Sequence, residues 1–394
     1  MSENLKNAKI IPAFEEMDKT VAIAFSSSNF YVPYLSVVLL SLADHASNDR
    51  NYDIVVFTQD INDYNKEILK ELICCKNISL RFFDVSDFFK NKDIYTPIHV
   101  SSVTVETYYR LLTPVIFAAY SKVIFMDSDT LIVDDVSKLY DVNVSGYPLA
   151  ASRELLFQSA FNEAGRNIPE FLKTLGLKNP EKYFQAGVIL FNNVYFNKNN
   201  LSEILLNNIQ NYKYEMVDQD ALNQICQENA LIINNKWNYV PLSEKYKSAL
   251  KFMPEDDKKV YFSVKKPGII HFIGAYWKPW CIVENKYDHI WWAYSRKSPY
   301  YEECIRRLCE YKISEKIKNV EMQYNNVARN NEFPKEYIIE IIRNIYNLGK
   351  NRVRYLKYSL FKNLSWGKKR KKYKEKKKKI KNEIKQAKRI LRKR

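Results

Sequence analysis

The chain has 394 residues with a hydrophobic share of 46%, enough for one large α/β domain with an extension or for two smaller domains. It holds only eight glycines and neither GxxxxGK[ST] nor GxGxxG, which argues against a P-loop enzyme and against a dinucleotide oxidoreductase. Charge is uneven: residues 368–394 carry 17 Lys+Arg and 2 Asp+Glu, so +15 of the formal net charge of +17 lies in that tail and the rest of the chain is close to neutral.

The six cysteines (Cys74, Cys75, Cys226, Cys281, Cys304, Cys309) form no CxxC pair, and residues 1–20 lack the apolar core of a signal peptide. A reduced, intracellular protein is expected. Apolar runs such as YVPYLSVVLLSLA from Tyr31 fall short of the roughly 18 residues that span a bilayer, which excludes an integral membrane protein.

In chain order, VAIAFS (21–26) predicts a buried strand, and Leu35, Val38, Leu39 and Leu42 follow at helical spacing. DIVVFT (53–58) predicts a second strand, NKEILKELICC a helix, and ISLRFFDV (78–85) a third strand. Short continuous apolar strands alternating with helices indicate a parallel sheet buried on both faces. TVETYYRLLTPVIFAAY predicts a further helix, leading into the strand KVIFMDSD (122–129) and later LAASRE. GVILFNN (187–193), ALIINN (230–235) and GIIHFIG (268–274) predict strands, and VDQDALNQICQ (217–227) the start of a helix. From about Ser314 the pattern is helical, with Ile338, Ile341, Ile342 and Ile345 on one face and Gly349 as the stop.

The strongest chemical signal is Asp127 and Asp129. Carboxylates two residues apart at a strand end point the same way and repel unless a cation sits between them. Hard oxygens of this kind suit a divalent cation with open positions for a diphosphate, and the carboxyl edge of an α/β sheet is where ligands bind. The rival reading is an acidic turn. His271, also at a strand end, would complete a set suited to Mn²⁺, with only four histidines available and zinc clusters improbable on that ground. Nearby, Gly274 permits close backbone approach and Lys278 offers charge to a phosphate. Glu154 and the pair Asp218 and Asp220 around Gln219 suit sugar hydroxyls, the rival for the pair being helix capping.

These pieces, taken in order, resemble the family 8 retaining glycosyltransferases. The similarity runs from about Val21 to Leu308 through FSSSNFYVPYLSVVLLSL, TYYRLLTPVIFAAYSKVIFMDSDTLIVDDVSKLY, YFQAGVILFNN, VDQDALN, KWNY, IIHFIGAYWKPW and WWAYSRKSPYYEE. The resemblance implies a GT-A fold, a nucleotide-binding mixed sheet flanked by helices, in a catalytic domain over residues 18–310; the charge and helical pattern of the remainder make 311–394 a basic helical extension. It implies a UDP-sugar donor and Mn²⁺, or Mg²⁺ in its place, held by Asp127, Asp129 and His271. Ser26, Ser28, Asn29 and Tyr31 would belong to the uridine pocket, with Tyr31 stacking on the base. Gly274 and Lys278 would contact the diphosphate, and Glu154, Gln185 and Ala186 the donor site. Arg110, Asp218, Gln219 and Asp220 would form the catalytic set, Gln219 standing where a nucleophile is sought. The chain departs from the family pattern in three ways. Asn29 and Phe30 stand where Asp and Asn are usual, Gln185 replaces Asn, and one extra residue separates His271 from Lys278.

The resemblance further implies transfer of glucose or galactose from UDP to a lipid-linked or surface-glycan acceptor. Because Gln219 is a poor nucleophile, front-side substitution is favoured over a covalent intermediate. In the tail, Ile380, Ile384, Ala387 and Leu391 recur at helical spacing among cations, as do Val353, Leu356, Leu360 and Leu364 before them. Basic amphipathic helices of this type lie on anionic membranes, each nearby Lys or Arg contributing about 1 kcal/mol. Residues 352–394 are therefore expected to attach a cytoplasmic enzyme to the inner face of a membrane. Nucleic-acid binding is disfavoured, since Tyr373 is the only aromatic available for stacking in the basic run. The rivals are a nucleotidyltransferase, which would need a Gly-rich loop that FSSSNFY does not provide, and a catalytically weakened UDP- or glycan-binding adaptor with a membrane- or RNA-binding tail.

Overall fold

The computed structural model describes residues 9–328 apart from breaks at 91–93, 96–103, 166–167, 178, 243–248 and 275–277, and in the tail residues 375, 378, 379, 381 and 382. The apolar stripes around Ile338–Ile345, Val353–Leu364 and Ile380–Leu391 lie outside the described residues. The chain divides into two compact units, residues 1–279 with 283–301, and residues 280–282 with 302–394.

The first unit is built on a seven-stranded sheet: β1 (Thr20–Ser26), β2 (Asn51–Thr58), β3 (Ile78–Asp84), β4 (Lys122–Asp127), β6 (Leu149–Arg153), β7 (Phe184–Asn192) and β8 (Leu231–Ile233), in the order β3-β2-β1-β4-β7-β6-β8. The first four in that order are parallel, as their continuous apolar runs predict, and β1 is buried almost throughout. Beyond β4 the sheet is mixed, β7 running antiparallel to both β4 and β6. This is the GT-A architecture expected from the sequence.

The segment predicted as a helix after Thr104 is instead a 3₁₀ helix over Val105–Leu112 with a single α turn, Thr113–Ile116. Tyr108, Tyr109, Arg110, Leu111 and Leu112 are all buried, so no polar face remains for an amphipathic α-helix. Pro114 then supplies no N–H to continue the ladder.

The late strand GIIHFIG contributes only β9 (Ile269–His271), and it does not join the main sheet. It pairs antiparallel with β5 (Thr130–Ile132), which sets Thr130 opposite His271. Helix α1 (Val32–His45), which returns from β1, supports this small sheet: the Ser41 hydroxyl accepts from Ile132 N at 3.0 Å. On its other side β9 is bridged by Tyr239, which donates N–H to Ile269 O and accepts from His271 N, each at 2.9 Å. The residue before it, Asn238, is thereby carried to His271.

A helix over Tyr301–Ala328 carries the chain from the last residue of the first unit into the second, its first turns laced by Arg306 and Arg307 on Glu303. No described helix is long and apolar enough to cross a membrane.

Candidate active site

Asp127 ends β4 and Asp129 follows in the turn to β5, which Thr130 closes by donating its hydroxyl to Asp127 O at 2.9 Å. His271 Nε2 lies 3.1 Å from Asp129 Oδ1 and 3.7 Å from Asp127 Oδ2. The ligand atoms of the three residues lie within 4.8 Å of one another. Two strands from opposite ends of the chain thus aim two carboxylates and an imidazole at one point, at the carboxyl edge of the parallel half of the sheet.

The floor of this cluster is Gly187, on β7 beside Val188, which pairs with Met126. A β-carbon at Gly187 would fall 2.1 Å from His271 Cε1 and 2.9 Å from Asp127 Oδ2. The donor set and this glycine-lined cradle fit a divalent cation bound by hard oxygens and one borderline nitrogen.

Two buried cations flank the carboxylates. Arg110 Nη2 donates to Asp127 Oδ1 at 2.8 Å, its Nε stands 2.8 Å from Asp218 Oδ2, and its Nη1 donates to the Ala186 carbonyl. Lys278 Nζ donates to Asp129 Oδ2 at 2.6 Å and to the Tyr31 hydroxyl at 3.1 Å. Burial pushes the Asp127 carboxyl above its usual range, and the pull of Arg110 only partly offsets it. Burial acts on Asp129 as well, but Lys278 and His271 outweigh it and hold that carboxyl well below the usual range. Burial would lower Lys278, yet Asp129 keeps it firmly protonated.

Asp218, Gln219 and Asp220 open helix α2 (Val217–Cys226) and are all buried. Asp218 Oδ1 accepts from Thr107 Oγ1 at 2.5 Å. Gln219 Oε1 accepts from Ala186 N at 3.0 Å, and Nε2 donates to the Tyr183 hydroxyl at 3.3 Å. Asp220 accepts from the Tyr183 hydroxyl at 2.6 Å and from Met216 N at 2.8 Å, the second bond being a helix cap that bends the chain back. Between them Val217 has φ 45°, a strained value for a β-branched residue. Burial pushes Asp218 upward, with Arg110 opposing, and pushes Asp220 up to about 6.

The remaining predicted residues spread around this centre. Glu154, Gln185 and Asn238 line a pocket with Tyr239 and Tyr261. Ser26 O accepts from the Ser128 hydroxyl at 2.7 Å, and Ser28 precedes the short 3₁₀ helix Asn29–Tyr31. Asn29 turns its side chain to Asn65, whose Nδ2 donates to Asn29 Oδ1 at 2.8 Å. Gly274 has φ 75°, which explains a glycine there, and open space where a β-carbon would stand. Gly187, Asn238 and Thr107 carry no chemical signature in the sequence; only their spacing within QAG, KWNY and TYYR would have drawn notice.

A family model described as glycosyl transferase family 8 matches residues 22–282. The chain belongs to glycosyl transferase family 8. Within the family, a Haemophilus influenzae protein provisionally named a glycosyltransferase is 30% identical over 271 residues, 67% of this chain and 74% of its own. The apo structure of WbbM, a bifunctional glycosyltransferase, superposes with a TM-score of 0.68 at 27% identity, covering 76% of this chain and 53% of WbbM. This family 8 chain therefore spans about half of that larger protein. The fold also matches the galactosyltransferase LgtC, solved with donor and acceptor sugar analogues, with a TM-score of 0.56 at 21% identity over 71% of this chain and 96% of LgtC.

Proposed function

We propose that this family 8 glycosyltransferase moves glucose or galactose, with retention, from UDP to a saccharide or glycolipid acceptor in a reaction that depends on Mn²⁺, or on Mg²⁺ in its place. The observation that carries this reading is the convergence of Asp127, Asp129 and His271 within 4.8 Å, flanked by Lys278 and Arg110. A divalent cation held by these three residues supplies positive charge to a departing diphosphate.

The protein's own residues account for the rest. Lys278, held between Asp129 and Tyr31, would offer its ammonium to a diphosphate oxygen, and Tyr31 its ring to the base. Arg110 fixes Asp218 relative to Asp127 and keeps both carboxylates compensated. The buried acceptor atoms of α2 are engaged: Asp218 by Thr107 and Arg110, Gln219 Oε1 by Ala186 N, and Asp220 by Tyr183 and Met216. None is poised as a nucleophile, which favours front-side substitution. In that step the acceptor hydroxyl bonds to the anomeric carbon as its bond to the UDP oxygen breaks, and the hydroxyl proton passes to the departing phosphate.

Residues 352–394 would hold the enzyme at the cytoplasmic face of an anionic membrane, where glycolipid acceptors reside.

The deciding experiment is release of UDP from a panel of UDP-sugars, with and without Mn²⁺, beside Asp127→Ala. Slow hydrolysis of one UDP-hexose that needs both Mn²⁺ and Asp127 is expected. Neither hydrolysis nor Mn²⁺-dependent binding of UDP would overturn the reading and leave a glycan-binding adaptor.

A further inference from the structure

Every polar atom around the far side of His271 has its donor or acceptor role fixed by its neighbour. The chain starts at the backbone N–H of Gly187, which can only donate, 2.6 Å from the side chain of Gln185. The Gln185 atom there is therefore the oxygen. The same oxygen faces the Asn238 amide, so Asn238 presents its NH₂ to it. The Asn238 oxygen then lies on the opposite edge of the amide, 2.9 Å from His271 Nδ1. An amide oxygen only accepts, so Nδ1 carries a proton. His271 Nε2, 3.1 Å from the acceptor-only Asp129 Oδ1, is then the nitrogen that a cation between the carboxylates would take in place of a proton. Gln185, Asn238 and His271 are all buried, so a member left without its partner is costly.

We propose that Asn238 and Gln185 are positioning residues that hold the His271 proton on Nδ1 and thereby present Nε2 as the ligand atom for the divalent cation. This rests on the metal-dependent reading of the site. It also gives Gln185 a task that does not involve touching sugar: its oxygen transmits the polarity of a fixed backbone N–H to the imidazole two side chains away. Carboxylate or amide partners of ligating imidazoles commonly set tautomer and ring orientation, and their loss costs 10–100-fold in metal affinity.

The test uses the full chain labelled with ¹⁵N-histidine, the His271 signals being assigned with His271→Gln, together with Mn²⁺ calorimetry. The metal-free wild type is expected to show a protonated Nδ1 with a slowly exchanging proton. Asn238→Leu and Gln185→Leu should speed that exchange and weaken Mn²⁺ binding 10–100-fold. Gln185→Glu keeps acceptors for Gly187 and Asn238, so it should retain the protected proton and most of the affinity, whereas Asn238→Asp sets an acceptor against the Gln185 oxygen and should not. The conservative Gln185→Glu variant separates the relay from a general loss of folding. An unprotonated Nδ1 in the wild type, or Mn²⁺ affinity within twofold of wild type in both leucine variants, would overturn the relay. If the wild type bound no Mn²⁺, the metal-dependent reading would fall, while the histidine spectra would still decide where the relay puts the proton.

Discussion

Gly187 stands so close to His271 that a β-carbon on it would fall 2.1 Å from the imidazole Cε1. Gly187 is fixed in β7 and the imidazole is held at both nitrogens, by Asn238 and by Asp129, so the ring cannot move aside without giving up those contacts. Gly187→Ala is expected to displace the imidazole, destabilise the protein by about 1–3 kcal/mol as overpacking does, and weaken Mn²⁺ binding at least tenfold. Thermal unfolding and calorimetry of the same preparation check both parts. Wild-type Mn²⁺ affinity in the alanine variant would show that the cradle is not part of the site.

Arg110 is 4% exposed and bonds Asp127 and Asp218 at once. Replacing it by methionine leaves the buried Asp218 and the partly buried Asp127 without this counter-charge, a change that costs roughly 3–5 kcal/mol. The double variant Arg110→Met/Asp218→Asn removes one of those charges and is expected to recover part of the loss. Urea unfolding of wild type, both single variants and the double variant gives the coupling directly. Additive losses would contradict the pairing.

Burial raises the Asp220 carboxyl up to about 6, from an ordinary value of 3.8. The folded protein therefore binds this proton more tightly than the unfolded chain, and the associated stability is present below about pH 4 and lost as pH rises through 6. Asp220→Asn cannot titrate. Its stability deficit relative to wild type should be largest near pH 4 and shrink towards pH 7, as followed by urea unfolding at stepped pH. A deficit that grows with pH would reverse the assignment.

Removal of residues 352–394 should abolish binding to vesicles rich in anionic lipid while leaving UDP-hexose hydrolysis intact. Binding by the full chain should weaken steeply with salt, because the surface potential decays within a Debye length. Co-sedimentation at low and high ionic strength measures this. Equal partitioning of the full and shortened chains would remove the tail from any membrane role.

Much of the fold is legible in the order of residues. β1, β2 and β4 are near-continuous apolar runs because the interior strands of a parallel sheet are buried on both faces, and burial writes itself directly into composition; the edge strand β3 is only partly buried. Asp127, Asp129 and His271 stand out as polar residues at the ends of such runs. The 3₁₀ segment at Val105–Leu112 was not legible, because its helical periodicity is the same apolar signal put to a different use: five consecutive buried side chains and a proline instead of one packed face.

By itself the sequence determined which strands are buried, that an acidic pair ends one of them, and that a single histidine ends another. Only the tertiary structure decided that these meet. β9 leaves the main sheet to pair with β5, Tyr239 bridges its far edge, and β7 runs antiparallel beside β4, which brings Gly187 under the carboxylates and Asn238 against the imidazole. The physical reason is range. Burial and turn chemistry act on neighbouring residues and leave local patterns, whereas a contact between Asn238 and His271, or between Arg110 and Asp218, depends on strand pairings between distant segments.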